Sequence, residues 1–410
     1  MPDHDFKLYK YRWVVLAIYV LISIVIEIQW LTFAPVASAA RAYYKAGALQ
    51  IDLLSMLYMI IFIVFCIPAS YVIDTYGLKK GLWIGAGLTG IFGLMKGFFA
   101  SDYVMVLIAQ TGLAVAQPFI LNALTKIGVT WFPLGERATA VGLGTLAQYV
   151  GIIVAMVLTP HLIASLGNGV FDLKPMLMVY GVASLAAAVI FLALMRDHPP
   201  TPPSASEDAG RSRVFEGMRS IFRNRDMLLM LGIFFLGLGM FNAISTCIEQ
   251  VCRRLTIEQA GLVGGMMLFG GIVGAAILPA VSDKIRRRKP VFIVCTFGML
   301  PGIIGLTVFS GYVPLLISGF IFGFFMMSAG PIGFQYGAEL SRPAPESTAQ
   351  GLLLLVGQIS GILFVFAIDK AGIGLSMTAF IVMTAAVIFF SVVMRESPMF
   401  RRATGGPAGD

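Results

Sequence analysis

An acidic and an aromatic residue lie one helical turn apart inside the first long apolar stretch of the chain. Glu27 and Trp30 are separated by three positions, so on a helix they share nearly one face. A carboxylate attracts an organic cation, and an indole face binds a cation or stacks on a flat ring. Because an acid deep in an apolar segment is costly unless it meets water or a partner, these two residues form a candidate cation site.

Each of these residues also has a second interpretation. Trp30 falls in the outer half of its stretch, where tryptophan also serves as an anchor at the level of the lipid headgroups. Glu27 can instead form a structural hydrogen bond to another helix. It is also the candidate proton-coupling residue, because protonation relieves the cost of taking a carboxylate out of water. Gln29 points away from Trp30 and is expected to bond a neighbouring helix.

Two glutamines in later apolar stretches are further candidates. Gln117 precedes Pro118, which removes a helical hydrogen bond near the middle of its stretch and frees backbone polar groups. A kinked segment lined by polar groups suits a binding cavity. Gln358 lies between Gly357 and Gly361, where close packing of helices is the alternative to a pocket.

The elements that must position these residues are membrane spans. Of the 410 residues 58% are hydrophobic and 12% are charged, with a mean hydropathy of +0.88, which excludes an ordinary soluble domain. The sequence predicts an all-α membrane protein with twelve transmembrane helices in two pseudo-symmetric six-helix bundles. The predicted spans are 13–38, 51–73, 81–100, 103–131, 138–166, 176–195, 227–252, 258–282, 290–309, 312–337, 347–371 and 374–394.

The twelve spans fall into two sets of six. Residues 1–195 are predicted to form the first bundle and residues 227–396 the second. Residues 196–226 are rich in Pro, Ser, Glu, Asp and Arg, a composition that cannot order itself around a core, so they are predicted to be a cytoplasmic linker. Residues 397–410 are predicted to be a cytoplasmic tail.

The distribution of basic residues predicts the orientation. Of the 29 Lys and Arg residues, 21 fall on the side of the N-terminus, 6 fall on the other side, and Lys96 and Lys126 lie within spans. This asymmetry places both termini in the cytoplasm and explains the net charge of +8 without nucleic acid. We expect the protein to be a monomer in the plasma (inner) membrane. Its expected partners are the lipid bilayer and a small-molecule substrate.

A short loop pattern occurs once in each set of six spans. An acid ends the second span of the set and a basic turn follows, and this half-length repeat is typical of transporters. It resembles the loop motif of the major facilitator superfamily, which implies a latch at the cytoplasmic face. The candidate gate residues are Asp74, Gly77, Lys79, Lys80, Asp283, Arg286 and Arg287.

Four segments, spread over both halves, carry a finer resemblance, to the feline leukaemia virus subgroup C receptor-related transporters of that superfamily. They are Gln29-Trp30, Ala116-Gln117-Pro118-Phe119-Ile120-Leu121, Ser245-Thr246 with Gln250, and Glu339-Leu340-Ser341-Arg342-Pro343 followed by Glu346, Gly351 and Gln358. The resemblance implies an alternating-access transporter. Members of the group move choline or ethanolamine, and haem export has also been proposed within it.

The resemblance also implies roles for individual residues. Trp30 corresponds to the tryptophan of the aromatic cage that holds choline, and Gln117 and Gln358 correspond to two pocket glutamines. The sequence departs from the pattern at Asn242, which stands where the cage has a tyrosine, and at Ile26, which stands where the pocket has an asparagine. The predicted solute-binding residues are Trp30, Glu27, Gln117, Asn242 and Gln358.

Other classes of function fit the chain less well. The histidines His4, His161 and His198 are far apart in sequence, so no metal site, cofactor site or catalytic triad is predicted, and an enzyme is not expected. Two alternatives to an amine transporter stay open. One is a proton-coupled transporter of an organic anion, a vitamin-like compound or a drug-like compound, and the other is a membrane sensor that moves no solute.

Overall fold

The computed structural model of the chain describes residues 8–133, 136–166, 172–201, 222–285, 287–341 and 346–397. Over these ranges the protein is helical and has no β-strand. Twelve of the helical stretches are long and apolar enough to cross a membrane. The predicted all-α fold class with twelve transmembrane helices is therefore confirmed.

The chain divides into two compact units, residues 1–208 and residues 209–410. The first unit contains one short 3-10 turn, Ala34–Val36, and eight α-helices within the described residues. The helices are α1 Tyr11–Leu31, α2 Ala37–Tyr44, α3 Ala48–Tyr76, α4 Leu78–Phe98, α5 Tyr103–Leu121, α6 Leu124–Trp131, α7 Arg137–Leu166 and α8 Lys174–Leu194.

The second unit is also built from helices. Those in its described part are α9 Arg225–Thr246, α10 Ile248–Val251, α11 Ile257–Ile285, α12 Lys289–Val308, α13 Tyr312–Leu340, α14 Glu346–Ala371 and α15 Ile373–Val393. The predicted linker, 196–226, overlaps the boundary between the units, but residues 202–221 lie outside the described residues. Its role stays a prediction, as does that of the tail, of which residues 398–410 also lie outside them.

Small residues bring the helices of each unit close together. In the first unit α4 packs extensively on α8, and a Cβ at Gly93 would lie 2.5 Å from Ser184 Cβ. In the second unit α11 packs on α13, where a Cβ at Gly323 would lie 1.7 Å from the carbonyl oxygen of Met267. In lipid there is no hydrophobic driving force for helices to associate. Van der Waals contacts between closely approaching backbones therefore contribute to the stability of each unit.

Three predicted spans are interrupted in the structure. The first predicted span divides at Leu31, shortly before Pro35, and the fourth divides after Leu121, shortly after Pro118. Proline removes a backbone donor, so a break near each of these two residues has a physical cause. The seventh divides at Cys247, whose backbone leaves the helical region with φ −105° and ψ 27°. The sequence contains no proline near this third break.

Candidate functional site

Glu27 is buried in the first unit against a glutamine from another helix. It lies on α1 and is 2% exposed, and Gln117 Nε2 of α5 donates a hydrogen bond to Glu27 Oε1 over 3.2 Å. Helix α7 passes close by, since a Cβ at Gly151 would lie 2.8 Å from Glu27 Cβ. The structure thus brings together two of the predicted site residues that are distant in sequence.

Trp30 lies one turn further along α1, with its indole buried against α3. The side chain is 9% exposed, and Nε1 donates to the carbonyl oxygen of Ser55 over 3.1 Å. In return, Ser55 Oγ donates to the carbonyl oxygen of Trp30 over 3.4 Å. These contacts hold the indole inside the protein and do not match the pattern of an anchor in the headgroup layer.

Three tyrosines lie around Glu27. Tyr19, Tyr58 and Tyr149 are all within electrostatic reach of its carboxylate. The ring of Tyr58 also lies beside Trp30, with a centroid distance of 6.5 Å and an angle of 38° between the planes. Tyr58 Oη is buried and has no hydrogen-bond partner among the described residues. A buried hydroxyl without a partner is destabilising, so it is available to a ligand or to water.

Tyr19 was not predicted as a site residue, although the sequence carries a signal for it. Tyr19, Ser23 and Glu27 follow one another at intervals of four positions in a mostly apolar helix, and all three are buried. A polar stripe of this spacing along a membrane helix indicates a face turned toward protein or ligand and away from lipid.

Gln29 takes the structural role expected of it. Gln29 Nε2 donates to Ser184 Oγ over 2.8 Å and to the carbonyl oxygen of Tyr180 over 3.2 Å, both on α8. Gln29 thus ties α1 to α8, on a different side of α1 from Trp30.

The second unit holds the other two predicted site residues in contact with each other. Asn242 Nδ2 of α9 donates to Gln358 Oε1 over 3.4 Å and to the carbonyl oxygen of Gly357 over 3.3 Å, both on α14. Ser245 and Thr246, three and four positions after Asn242, carry buried hydroxyls without a partner in the described part of the chain. Polar groups on one face of α9 therefore extend the site beyond the amide pair.

The first loop motif forms a tight turn closed by a carboxylate from a distant part of the chain. Gly77 has a φ of +98°, which favours glycine, and the Lys79 N–H donates to Asp197 Oδ1 over 2.8 Å. Asp197 therefore caps the start of α4, where the helix dipole favours an anion. Lys80 is exposed, and the side chain of Asp74 is outside the described part of the structure.

The second loop motif is closed in the same way. Glu396 Oε1 accepts from the backbone N–H groups of Arg288 and Lys289, at 3.1 and 3.0 Å, and so caps the start of α12. Arg288 Nε also pairs with Glu339 Oε1 over 3.3 Å in a buried salt bridge. Arg287 is exposed, whereas the side chain of Asp283 and residue 286, the predicted Arg286, lie outside the described residues.

The two capping acids were not selected from the sequence, although a repeat marks them. Met195-Arg196-Asp197 follows the sixth span and Met394-Arg395-Glu396 follows the twelfth. A basic residue followed by an acid at the same place in each set of six spans is a second half-length repeat, in addition to that of the loops.

Within the ranges that the structure describes, no group of three His, Cys, Asp or Glu residues could hold a metal ion. The described part of the first unit offers a buried carboxylate, an amide, several aromatic rings and a buried hydroxyl without a partner. Such a set has the chemistry that suits a small polar or cationic molecule.

The chain is similar in sequence to known transporters. The chain is 29% identical over 392 residues to solute carrier family 49 member A3 of Xenopus tropicalis, covering 89% of this chain and 79% of that protein. It is also 29% identical over 403 residues to the choline/ethanolamine transporter FLVCR1 of Felis catus, covering 93% of this chain and 72% of that protein. The resemblance to that transporter group is confirmed.

A solved structure has the same fold, and a sequence profile identifies the family. A crystal structure of a bacterial homologue of the human lysosomal transporter Spinster superposes with a TM-score of 0.73 at 16% identity, covering 98% of this chain and all of that chain. Residues 18–365 match the profile of the Major Facilitator Superfamily. The chain therefore belongs to the Major Facilitator Superfamily and is an integral membrane transporter of an organic solute, not an enzyme.

Proposed function

We propose that this transporter moves a small cationic or polar amine, such as choline or ethanolamine, by alternating access. The observation that carries the proposal is the state of Glu27. Its carboxylate is buried, and its hydrogen-bond partner is the neutral amide of Gln117. Over the described ranges no cationic side chain lies within ion-pair distance of Glu27. A cationic solute supplies the missing positive charge.

The aromatic residues beside Glu27 support a cation in particular. Tyr58 is within electrostatic reach of the carboxylate, and the ring of Trp30 lies beside that of Tyr58. An aromatic face attracts an ammonium group most strongly when both are out of water. Relatives of this chain include a protein named as a choline/ethanolamine transporter. In the second unit we assign solute contacts to Asn242 and Gln358, whose amide groups suit the hydroxyl group that both amines carry.

The polar groups in the first unit distinguish the two amines. The primary ammonium of ethanolamine donates hydrogen bonds, whereas the quaternary ammonium of choline has no N–H. The carboxylate of Glu27 is an acceptor, and so is the hydroxyl of Tyr58, which has no partner among the described residues. In the second unit, the resemblance implies that Asn242 replaces a cage tyrosine. We therefore expect ethanolamine to compete more effectively than choline.

Uptake by proteoliposomes tests this function. Labelled choline and labelled ethanolamine are supplied separately to the purified full chain, its Glu27→Gln variant and its Trp30→Ala variant. Matched controls are Glu258→Gln, which neutralises an exposed acid, and Trp83→Ala, which removes a tryptophan that is 41% exposed. Saturable uptake that Glu27→Gln and Trp30→Ala abolish, and that the controls keep, supports the proposal. Absence of saturable uptake of either amine by the native chain excludes this choice of solute.

A second candidate is proton-coupled transport of another organic solute, such as an organic anion, a vitamin-like compound or a drug-like compound. It is favoured by the same burial of Glu27 without an ion-pair partner in the described structure, since protonation is the other way to relieve a buried carboxylate. An imposed pH gradient would then drive uptake in the native protein and fail to drive it in Glu27→Gln. Flux that ignores the gradient in both proteins removes this candidate.

We further propose a monomer in the plasma (inner) membrane with both termini in the cytoplasm. The excess of basic residues on the side of the N-terminus supports this orientation. The loops around Gly77 and Arg287 then lie at the cytoplasmic face, where we assign them the role of a gate. Protease cleavage of tags at both termini in inside-out vesicles, and protection in right-side-out vesicles, is the expected result. Cleavage of one tag in each orientation would contradict it.

A further inference from the structure

Lys96 is a cation buried completely inside the first unit. It lies in the last turn of α4, and its side chain is 0% exposed. A lysine in the interior of a membrane protein is costly unless its ammonium group is well coordinated, and it marks a functional site by default. Neither the loop motif nor the proposed solute site uses this residue.

Three oxygen atoms surround the ammonium group. Lys96 Nζ donates to Gln110 Oε1 over 3.1 Å, to Thr32 Oγ1 over 3.4 Å and to the carbonyl oxygen of Gln29 over 3.4 Å. The buried ring of Phe33 lies 5.3 Å from Nζ and adds a cation–π contact. An ammonium group has three N–H donors, so these three acceptors satisfy it fully.

These contacts are at the C-terminal end of α1. The last carbonyl groups of a helix have no partner within the helix, and inside a membrane each of them needs one from elsewhere. The carbonyl oxygen of Ile28 accepts from Thr32 Oγ1 over 2.7 Å, and that of Gln29 accepts from Gln110 Nε2 over 3.0 Å as well as from Lys96. Lys96 therefore belongs to a set of side chains that close the broken end of α1.

The counter-charge of Lys96 is the helix end itself. In the described part of the chain no carboxylate lies within ion-pair distance of Lys96. The C-terminal end of a helix carries a partial negative charge, and a cation there is stabilising, most of all where it is shielded from water. The ammonium group thus occupies the position that a bound cation would take at a helix end with free carbonyl groups.

We propose that Lys96 is a positioning residue: its ammonium group is a built-in cation that closes α1 and so fixes the last two turns, which carry Glu27 and Trp30. Only the solute-binding role of Glu27 and Trp30 rests on the proposed function. The second unit has no such device in its described part. There the end of α9 continues through backbone bonds, from the Cys247 N–H to the Ala243 carbonyl oxygen over 2.9 Å and from the Val251 N–H to the Cys247 carbonyl oxygen over 3.0 Å.

The first test measures the position of Trp30 without any solute. A variant that retains only this tryptophan is made by Trp13→Phe, Trp83→Phe and Trp131→Phe, and quenching of its fluorescence by acrylamide is measured below the melting temperature. We expect a low quenching constant, which rises when Lys96→Ala is added. The matched control is Lys126→Ala, because Lys126 Nζ also donates to a carbonyl oxygen near a helix end, that of Ile73 over 2.7 Å.

The second test replaces the missing cation. Lys96→Ala removes three methylene groups and an ammonium group, a shape that propylammonium reproduces. We expect propylammonium chloride to restore the low quenching constant and to raise the melting temperature of Lys96→Ala by more than it raises that of the native protein. Sodium chloride at the same concentration serves as the ionic control. Neither the quenching constant nor the melting temperature depends on transport. A failed uptake assay would therefore count against the proposed function and not against the positioning role of Lys96.

Conservative variants keep the proposal testable if Lys96→Ala does not fold. Lys96→Arg keeps a cation near the end of α1, whereas Lys96→Met keeps the length of the side chain and removes the charge. We expect Trp30 to be better protected from acrylamide in Lys96→Arg than in Lys96→Met. Equal quenching in these two variants overturns the proposal. An unchanged quenching constant in Lys96→Ala, or an equal rise in Lys126→Ala, also overturns it.

Discussion

Two buried charges in the first unit, Glu27 and Lys96, have different surroundings. The three donors of Lys96 meet three oxygen atoms from two other parts of the chain. The carboxylate of Glu27 has the amide of Gln117 as its partner, and the hydroxyl of Tyr58 beside it has none in the described structure. One charge is fully coordinated by the protein, whereas the other lies in a polar site that the protein leaves incomplete.

The difference indicates how to interpret a charge inside a membrane protein. Burial alone marks both residues as important, since either charge would be costly without partners. Complete coordination assigns Lys96 to holding the helices in place. Incomplete coordination supports our proposal that Glu27 binds something that is not part of the chain. Removal of the Glu27 charge should therefore lower solute affinity and leave stability unchanged or higher. Removal of the Lys96 charge should mainly lower stability.

Glu27→Gln should give the largest effect of all on solute affinity. The amide keeps the shape of the side chain and can still bond Gln117, so the melting temperature should be unchanged or higher. The affinity for a cationic solute should fall by about 2–5 kcal/mol, because the solute loses its counter-charge in a site shielded from water. Thermal melting and equilibrium binding on the same samples check both parts. A large loss of stability with unchanged affinity would reverse the comparison.

Lys96→Met should show the opposite pattern. Loss of the ammonium group takes away the donor that Lys96 supplies to Gln110 Oε1 and leaves the carbonyl oxygen of Gln29 with one donor fewer. The free energy of unfolding should therefore fall by about 1–3 kcal/mol. Lys126→Met removes the bond to the carbonyl oxygen of Ile73 at a half-buried position, and loss of that bond should cost only about 0.6 kcal/mol. Denaturation of both variants in the same detergent is the measurement. Equal losses of unfolding free energy in the two variants would show that the buried contacts of Lys96 contribute no additional stability.

Trp30→Phe should have an intermediate effect on affinity. Phenylalanine attracts a cation less strongly than tryptophan and cannot donate to the carbonyl oxygen of Ser55, so the affinity should fall by about 0.5–2 kcal/mol. Trp83→Phe, at an exposed position, should leave the affinity unchanged. Titration with choline and with ethanolamine provides both values. Equal affinities in the two variants would remove Trp30 from the site.

Tyr58→Phe should have the smallest effect. Because the hydroxyl of Tyr58 has no partner within the described ranges, its removal should not lower stability, whereas the affinity for ethanolamine should fall by about 0.5–1.5 kcal/mol. Tyr180→Phe is the matched control, since it breaks the 2.9 Å bond between Tyr180 Oη and Thr159 Oγ1 and should lower stability. If Tyr58→Phe lowers the melting temperature as much as Tyr180→Phe does, the hydroxyl has a structural role.

Much of the fold could be predicted from the sequence because hydrophobicity and length determine membrane spans directly. Pro118 marked a break in the fourth span, and the loop repeat pointed to two halves and to the superfamily. A second repeat, which ends in Asp197 and Glu396, is also visible in the sequence. It indicates the two acids that cap α4 and α12.

The contacts of the site could not be predicted in the same way. Glu27 and Gln117 are 90 positions apart, and their contact depends on how α1 packs on α5 and α7. Lys96 is coordinated by residues 14 to 67 positions away, so its role depends on where α1 ends. A sequence shows that a charge is inside the membrane, but only the packing of the helices shows whether its coordination is complete.

Equilibrium binding of tritiated ethanolamine to the purified full chain tests the central claim most directly. The native protein and Lys96→Arg should bind it saturably, and Glu27→Gln should lose that binding while melting at the native temperature or above. Saturable binding of equal affinity in the native protein and in Glu27→Gln would contradict the claim that this buried carboxylate receives the solute.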